Sequence, residues 1–257
     1  MAAGIRSIAG LTSIILIGAS IVLLFFVVLS GYTDMTPFNK TYFLRADTSS
    51  FTPAGRTVSQ WTYFYVCGEG NQDCGSPVPA LPLGYAWLGR ETGVPDALLG
   101  SHGKGTTSTY YYYMWRFGWV FYLIALVFAS FGFLASLLAP FSRLASGFSG
   151  LILGTALFFM SLAAALMTVT FVKMRNVFQK QDITARLGRY AFGFTWGAWA
   201  AMFLAMVLLF LGCGLGGSRK DKVSSDTSFF RRQRSRKSAR GSFIDNDSAP
   251  RVKEEYA

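Results

Sequence analysis

The chain has 257 residues, of which 52% are hydrophobic and only 14% are charged. Soluble domains carry about 25% charged residues, so this composition argues against a soluble globular protein and indicates a lipid environment. The formal net charge of +11 would suit nucleic acid, but the basic residues lie outside the long apolar runs, which favours anionic lipid as the partner and argues against nucleic acid.

Four apolar runs are each long enough to cross a bilayer as a helix, which takes about 20 residues. They are residues 8–30, 117–139, 148–172 and 190–215, and none contains Asp, Glu, Lys or Arg. A soluble helix of this length would have a polar face. The sequence therefore predicts an all-α membrane protein, a four-transmembrane-helix bundle. The first run exceeds the 7–15 residues of a signal-peptide core, which favours an uncleaved anchor over a signal peptide.

Charge predicts the orientation of the spans. The tail, residues 216–257, carries eleven Lys and Arg, and the positive-inside rule places it in the cytoplasm together with residues 1–7. Residues 140–147 then form a cytoplasmic turn, and residues 31–116 and 173–189 form two extracellular loops. The second loop conflicts with this rule, because its charged residues are Lys173, Arg175, Lys180, Arg186, Arg189 and only one acid, Asp182.

The first loop holds two of the three cysteines, Cys67 and Cys74, with Gly68 and Gly70 between them. An even pair in a translocated loop predicts a disulfide, and the glycines free the backbone to close a short ring. Residues 61–66, beginning at Trp61, are aromatic and β-branched and predict a strand, with a second at 41–44. Two interpretations stay open: the strands pair in a small sheet, or their aromatic side chains pack on the membrane surface.

The remaining loop features predict little chemistry. Asn39 opens an Asn-Lys-Thr glycosylation sequon, but it lies about nine residues beyond the first span, which argues against transferase access. Residues 84–109 are glycine-rich and predict a flexible excursion.

The sequence shows no catalytic constellation, metal cluster or cofactor motif, so we predict no cofactor and no enzyme. The uncharged spans also argue against a coupled transporter, and a pore lined by backbone and hydroxyl groups stays open as the less favoured alternative.

Small residues recur on the last two spans, where they permit close helix packing in lipid. They are Gly150 and Gly154 on the third span and Gly193, Gly197, Ala201 and Ala205 on the fourth. Packing within the chain is favoured over packing against a second protomer, and a homo-oligomer stays open. Cys213, at the cytoplasmic end of the fourth span, is equally a palmitoylation candidate and a small buried residue.

The predicted disordered tail contains a basic cluster. Its members are Arg231, Arg232, Arg234, Arg236 and Lys237. Each residue near the surface would attract anionic inner-leaflet lipid by about 1 kcal/mol. Ser235 and Ser238 are candidate phosphorylation sites, and phosphate there would weaken the attraction. A solubilising tail that fixes topology is the alternative, and both roles can hold.

Several short motifs follow one another in a recognisable order. They are Ser30-Gly31-x-Thr33-Asp34, Tyr42-Phe43, Trp61-Thr62, Cys67, Cys74, a proline-rich stretch, and Asn176-x-Phe178 and Ala185-x-Leu187-Gly188 in the second loop. This order, set among four spans, resembles the fungal Sur-seven/PalI family, and its Sur-seven branch more than its PalI branch. Trp61 ahead of a cysteine pair is also similar to the claudin superfamily, although the fuller claudin aromatic signature is absent.

The resemblance implies a structural component of a fungal plasma-membrane domain, the eisosome-type furrow. It implies effects on cell-wall assembly, endocytosis and membrane lipid organisation. The implied partners are other eisosome-type membrane-domain proteins and membrane lipids, including sphingolipid or sterol. The PalI branch would instead imply an accessory role in ambient-pH signalling.

Overall fold

The computed structural model describes residues 2–51 and 56–214, and for residues 2–6 and 143 the backbone only. Its long helices are α1 (Ala2–Val28), α2 (Thr109–Ser136), α3 (Arg143–Gln179) and α4 (Arg189–Gly214). All four contain a segment long and apolar enough to cross a membrane. The predicted four-helix bundle is confirmed.

The helices pack in a ring. α2 lies along α3, α3 along α4, and α4 along α1, with fewer contacts between α1 and α2. Small residues permit the close approaches: a Cβ added to Gly118 of α2 would lie 3.2 Å from the Met167 side chain of α3. Because lipid provides little hydrophobic drive for association, such close van der Waals packing is what holds spans together.

α3 is longer than the predicted third span. Ser142 caps its N-terminus by accepting a hydrogen bond from the backbone N–H of Ala145 at 3.5 Å. The helix then continues to Gln179, so Lys173 and Arg175 of the predicted second loop belong to its last two turns. Because of this extension, Phe178 lies beyond the predicted span, where it contacts residues of the first loop.

The two loops build one antiparallel sheet. Its strands are β1 (Leu44–Asp47), β2 (Val58–Trp61), β3 (Val66–Cys67) and β4 (Ala185–Leu187), in the order β3-β2-β1-β4. β4 comes from the second loop and pairs with β1 of the first. Both loops therefore lie at the same end of the bundle.

The strand predicted at residues 61–66 is wrong. β2 ends at Trp61, the chain turns, and β3 begins at Val66. The Thr62 hydroxyl closes the turn, because it donates to the Tyr65 carbonyl and accepts from the Tyr65 N–H, both at 3.1 Å. The strand predicted at 41–44 forms instead at 44–47. Of the two interpretations, the small sheet is confirmed, whereas the rings of Trp61 and Tyr63 are buried against the helices and do not lie on the membrane surface.

The glycine-rich segment 84–109, predicted to be a flexible excursion, is packed in part, because Trp87, Val94 and Leu98 are buried while residues 88–93 are exposed. Trp87 is buried and donates from Nε1 to the Thr106 carbonyl at 3.0 Å. Gly84 approaches the same carbonyl so closely that an added Cβ would overlap it. Gly84 therefore permits close backbone packing beside Trp87, whereas around Gly89, Gly93 and Gly105 no described atom lies within 4 Å of an added Cβ.

Candidate functional site

We use the term sheet module for the four strands and their connections, residues 31–51, 56–108 and 180–188. Its first distinctive feature is the Cys67–Cys74 disulfide, which confirms the predicted pairing. The left-handed backbone within the ring falls at Gly70 (φ 69°), Asn71 (φ 56°) and Asp73 (φ 49°), whereas Gly68 has a φ of −78°. The conformational freedom of glycine is thus used at Gly70.

Asn71 connects the disulfide ring to the rest of the module. Its buried amide donates from Nδ2 to the carbonyls of Phe38 at 2.7 Å and Thr41 at 2.8 Å. Its backbone N–H donates to Oε1 of Gln60 on β2 at 3.0 Å. The ring is therefore fixed to two separate parts of the loop, residues 38–41 and β2.

Trp61 seats the module on α3. The side chain is buried, and its Nε1 donates to the Leu83 carbonyl at 2.9 Å. Its ring lies 6.1 Å from that of Phe178 and 6.3 Å from that of Trp87. Aromatic pairs at such distances add to the stability gained by burial, so Trp61 ties β2 to the end of α3.

Tyr63 makes the corresponding connection to α2. Its ring stacks on Trp119 at 5.4 Å, and its hydroxyl donates to the Trp119 carbonyl at 2.7 Å. Burial, and next the proximity of Tyr122, raise the pKa of Tyr63 well above its usual value. The phenol therefore stays protonated and able to donate.

The motifs that carry the family resemblance meet in space. Gly31 has a φ of +80° and packs against the Cys67 sulfur, while Ser30 accepts from the Tyr63 N–H at 3.4 Å. Gly188 lies so close to Tyr42 that an added Cβ would overlap the Tyr42 carbonyl oxygen. Short motifs far apart in the chain are thus parts of one junction between the module and the bundle.

The face of the sheet carries two grooves that share Arg186. The proximal groove, beside the start of α4, has a volume of about 380 Å³ and is lined by Asn39, Lys40, Tyr42, Glu69, Arg186, Arg189 and Tyr190 among others. The distal groove has a volume of about 370 Å³ and is lined by Arg45, Asp47, Val58, Thr184 and Arg186. Both grooves have more cationic than acidic side chains.

The predicted glycosylation site lies at the proximal groove. Asn39 is half-buried in a short helical turn, Phe38–Lys40, and its Oδ1 accepts from the Thr36 hydroxyl at 3.3 Å. The sequon's Thr41 is buried, and its hydroxyl donates to the Pro37 carbonyl at 2.8 Å. Glycosylation of Asn39 stays a prediction.

The small residues of the spans lie mostly against neighbouring helices. Cβ atoms added to Gly150 and Gly154 would lie 3.2 Å and 3.6 Å from the side chains of Phe210 and Met206 of α4, and one added to Gly197 would lie 3.5 Å from Leu23 of α1. Around Gly193 no described atom lies within 4 Å of such a Cβ. Ala201 and Cys213 are half-buried.

The predicted tail sites lie outside the described residues. They are Ser235, Ser238 and the basic cluster Arg231, Arg232, Arg234, Arg236 and Lys237. Three features were not predicted from the sequence: β4, the rings of Phe51, Trp61 and Trp87 around Phe178, and the two grooves. The excess of cations in the second loop was the signal that could have located the grooves.

Comparison with known proteins agrees with this arrangement. A family model described as SUR7/PalI family matches residues 9–208, which reach into all four spans and include the sheet. The chain belongs to the SUR7/PalI family. Protein SUR7 of Candida albicans is 29% identical over 197 residues, covering 76% of this chain and 71% of that protein.

Two further family members come from Saccharomyces cerevisiae. SUR7 family protein FMP45 is 35% identical over 204 residues, covering 77% of this chain and 62% of the relative. A protein named as a plasma membrane protein is 29% identical over 199 residues, covering 75% of this chain and again 62% of the relative. The chain thus spans somewhat less than two thirds of each of these two yeast relatives, and it is a four-helix membrane protein of the SUR7 family.

Proposed function

We propose that this SUR7-family chain is a structural component that organises a domain of the plasma membrane. The observation that carries the proposal is the single disulfide-closed sheet that both loops build and that buried aromatic rings seat on α2 and α3. Such a unit presents a fixed surface above a lipid-facing bundle, which suits a scaffold better than a catalyst or a coupled transporter. The yeast relative named as a plasma membrane protein supports the location.

The proposal places the sheet module outside the cell and both termini in the cytoplasm. Disulfides persist in oxidising compartments and are rare in the cytosol, so the Cys67–Cys74 bridge supports this orientation. A membrane-impermeant amine reagent applied to intact spheroplasts should label the exposed Lys40 and Lys180. Lysines of the tail should react only after permeabilisation. Labelling in the opposite order would overturn the orientation.

The finer role we propose is membership of an eisosome-type furrow, with effects on cell-wall assembly, endocytosis and lipid organisation. Other furrow proteins, sphingolipid or sterol, anionic inner-leaflet lipid at the tail, and a second copy of the chain are the proposed partners. A C-terminal fluorescent fusion should form cortical patches that do not recover within minutes of photobleaching. A diffuse or internal signal from a fusion of normal abundance would contradict the proposal.

A second candidate is an accessory role in ambient-pH signalling. The family description joins SUR7 with PalI, which is the observation that favours it. The test is deletion of the gene. Loss of growth at alkaline pH, with the patches of other cortical proteins unchanged, would favour the signalling role over the structural one. A pore has less support, because buried side chains such as Ile17, Ala125 and Met202 fill the interior of the bundle.

A further inference from the structure

Arg186 and Arg189 stand at positions that strand pairing and the helix macrodipole disfavour, although the Arg189 guanidinium also lies 5.1 Å from the centre of the Tyr190 ring. Arg186 on β4 lies directly opposite Arg45 on β1, and like charges so placed destabilise an antiparallel pair. Arg189 is the first residue of α4, whose first turn has no acidic residue, and a cation there opposes the helix macrodipole. Natural sequences break such local rules mainly at functional sites.

The neighbouring carboxylates are already engaged. Glu69 forms an ion pair with Arg45 at 2.5 Å. Asp47 accepts hydrogen bonds from the N–H of Ser49 at 3.1 Å and from its hydroxyl at 2.8 Å. Within residues 2–51 and 56–214 no carboxylate pairs with Lys40, Arg186 or Arg189. Hydrogen bonds from Ser49 leave the charge of Asp47 in place, but basic side chains outnumber acidic ones by three to one in the proximal groove and by two to one in the distal groove, so both grooves keep a net positive charge.

The two grooves follow each other along the strands, away from the bundle. Phe43, at the proximal end of β1, stacks on Phe171 of α3, and Phe51, beyond its distal end, stacks on Phe178. Seven residues of α-helix span about 10 Å. A ligand that fills both grooves is thus extended, and one end of it stands well above the start of α4. Because α4 is one of the apolar spans, the proximal groove at its start lies nearer to the lipid headgroups than the distal groove does.

We infer that the two grooves bind an anionic saccharide chain bearing phosphate or carboxylate groups. Arginine recognises such groups through two parallel N–H donors, and Arg186 stands where the grooves meet. Tyr42 and Tyr190 line the proximal groove with amphipathic rings, one side of Tyr190 facing the Arg189 guanidinium, and Asn39 offers an amide to sugar hydroxyls. Each groove has the volume of a small-ligand site. The inference rests on the proposed outward orientation of the sheet.

The test uses the full chain in nanodiscs of zwitterionic lipid. The probe is a fluorescent pentasaccharide with a terminal phosphomonoester, and its dephosphorylated form is the neutral control. Arg186→Gln should weaken binding of the phosphorylated probe about tenfold, the loss expected for a charge-assisted hydrogen-bond pair. Arg186→Gln with Arg189→Gln should weaken it further, and Arg186→Lys should weaken it less. Lys180→Gln, the same charge change in the same loop but outside the grooves, should have little effect.

A stability measurement separates binding from folding. Because Arg186→Gln removes the repulsion with Arg45, its melting temperature should stay equal to the wild type or rise while its affinity falls. Equal binding of the neutral probe, equal weakening by Lys180→Gln, or binding only when anionic lipid is added to the nanodisc would each overturn the inference. Since binding is measured on purified protein, its failure is distinct from a failure of cortical localisation.

Discussion

The bundle and the sheet module depend on contacts of different range. In α1 to α4 nearly every backbone hydrogen bond closes within one helix, and the interfaces use small residues such as Gly118 and Gly150. In the sheet module, β1 pairs with a strand that follows α3, and the module's tryptophans are buried against distant segments. A helix can thus form before its neighbours arrive, whereas the module exists only after both loops meet.

This difference locates the vulnerable part of the molecule. Small changes at a lipid-bathed interface alter a few van der Waals contacts. A change at the junction of module and bundle removes a buried ring or a hydrogen bond on which several segments depend. The following predictions compare the two regions, beginning with the change of largest expected effect.

Trp61→Ala should cost about 3–5 kcal/mol, the range measured when a large buried aromatic is truncated. The loss has two sources, the cavity between Trp87 and Phe178 and the unpaired carbonyl of Leu83. Denaturant unfolding in detergent, followed by tryptophan fluorescence and by trypsin cleavage of the module, measures it.

The matched control is Tyr32→Ala, because the Tyr32 side chain is 71% exposed. Its effect should stay within about 0.5 kcal/mol, as for ordinary surface changes. Equal effects of the two substitutions would show that the module does not depend on Trp61.

Removing the disulfide is the next largest change. Cys67→Ser with Cys74→Ser should cost about 2–3 kcal/mol, since the bridge closes a short ring and constrains the unfolded chain. The separation of the two cysteines is 7 residues. Cys213→Ser, which alters the cysteine of α4 outside the bridge, should leave stability unchanged. Reduction of the wild type with dithiothreitol should lower its stability to that of the double variant. A reduced wild type that stays clearly more stable than the double variant would show that the serine substitutions, and not loss of the bridge, cause part of the effect.

The bundle could be predicted from sequence because its signal is local. Twenty uncharged apolar residues identify a span whatever its neighbours are, and the disulfide followed from two cysteines seven positions apart. The sheet could not be predicted in register, because residues 61–66 have strand-like composition throughout and only the Thr62–Tyr65 hydrogen bonds reveal a turn. β4 has three residues, one of them Arg186, and acquires strand geometry only by pairing with β1.

Two glycine substitutions compare the regions most directly. Gly188→Ala should cost about 1–3 kcal/mol, as overpacked sites do, because the new Cβ would force β4 away from Tyr42. Gly193→Ala, five residues on within α4, meets no described atom within 4 Å of the new Cβ. It should stabilise the helix by up to about 1 kcal/mol. A lower melting temperature for Gly188→Ala together with an equal or higher one for Gly193→Ala would support the comparison. Equal losses in both variants would show that the close contact with Tyr42 is not what makes Gly188 necessary.

The smallest predicted effect concerns Tyr63, which joins the turn of the module to α2. Tyr63→Phe keeps the ring stacked on Trp119 and removes the hydroxyl that donates to the Trp119 carbonyl. The expected cost is about 1 kcal/mol, that of one intramolecular hydrogen bond. Tyr32→Phe is the matched control, since that hydroxyl belongs to an exposed residue.

The same pair gives a second measurement, in alkaline solution. Burial raises the pKa of Tyr63 in the folded state, so the contribution of its neutral phenol is complete below the unfolded-state pKa of about 10 and is lost as pH rises above it. The free energy of unfolding should therefore fall with pH above 10 in the wild type and in Tyr32→Phe, and fall less steeply in Tyr63→Phe. Identical slopes in all three proteins would mean that the Tyr63 phenol reaches solvent in the folded state. The contact between the module and α2 at Trp119 would then be open to water.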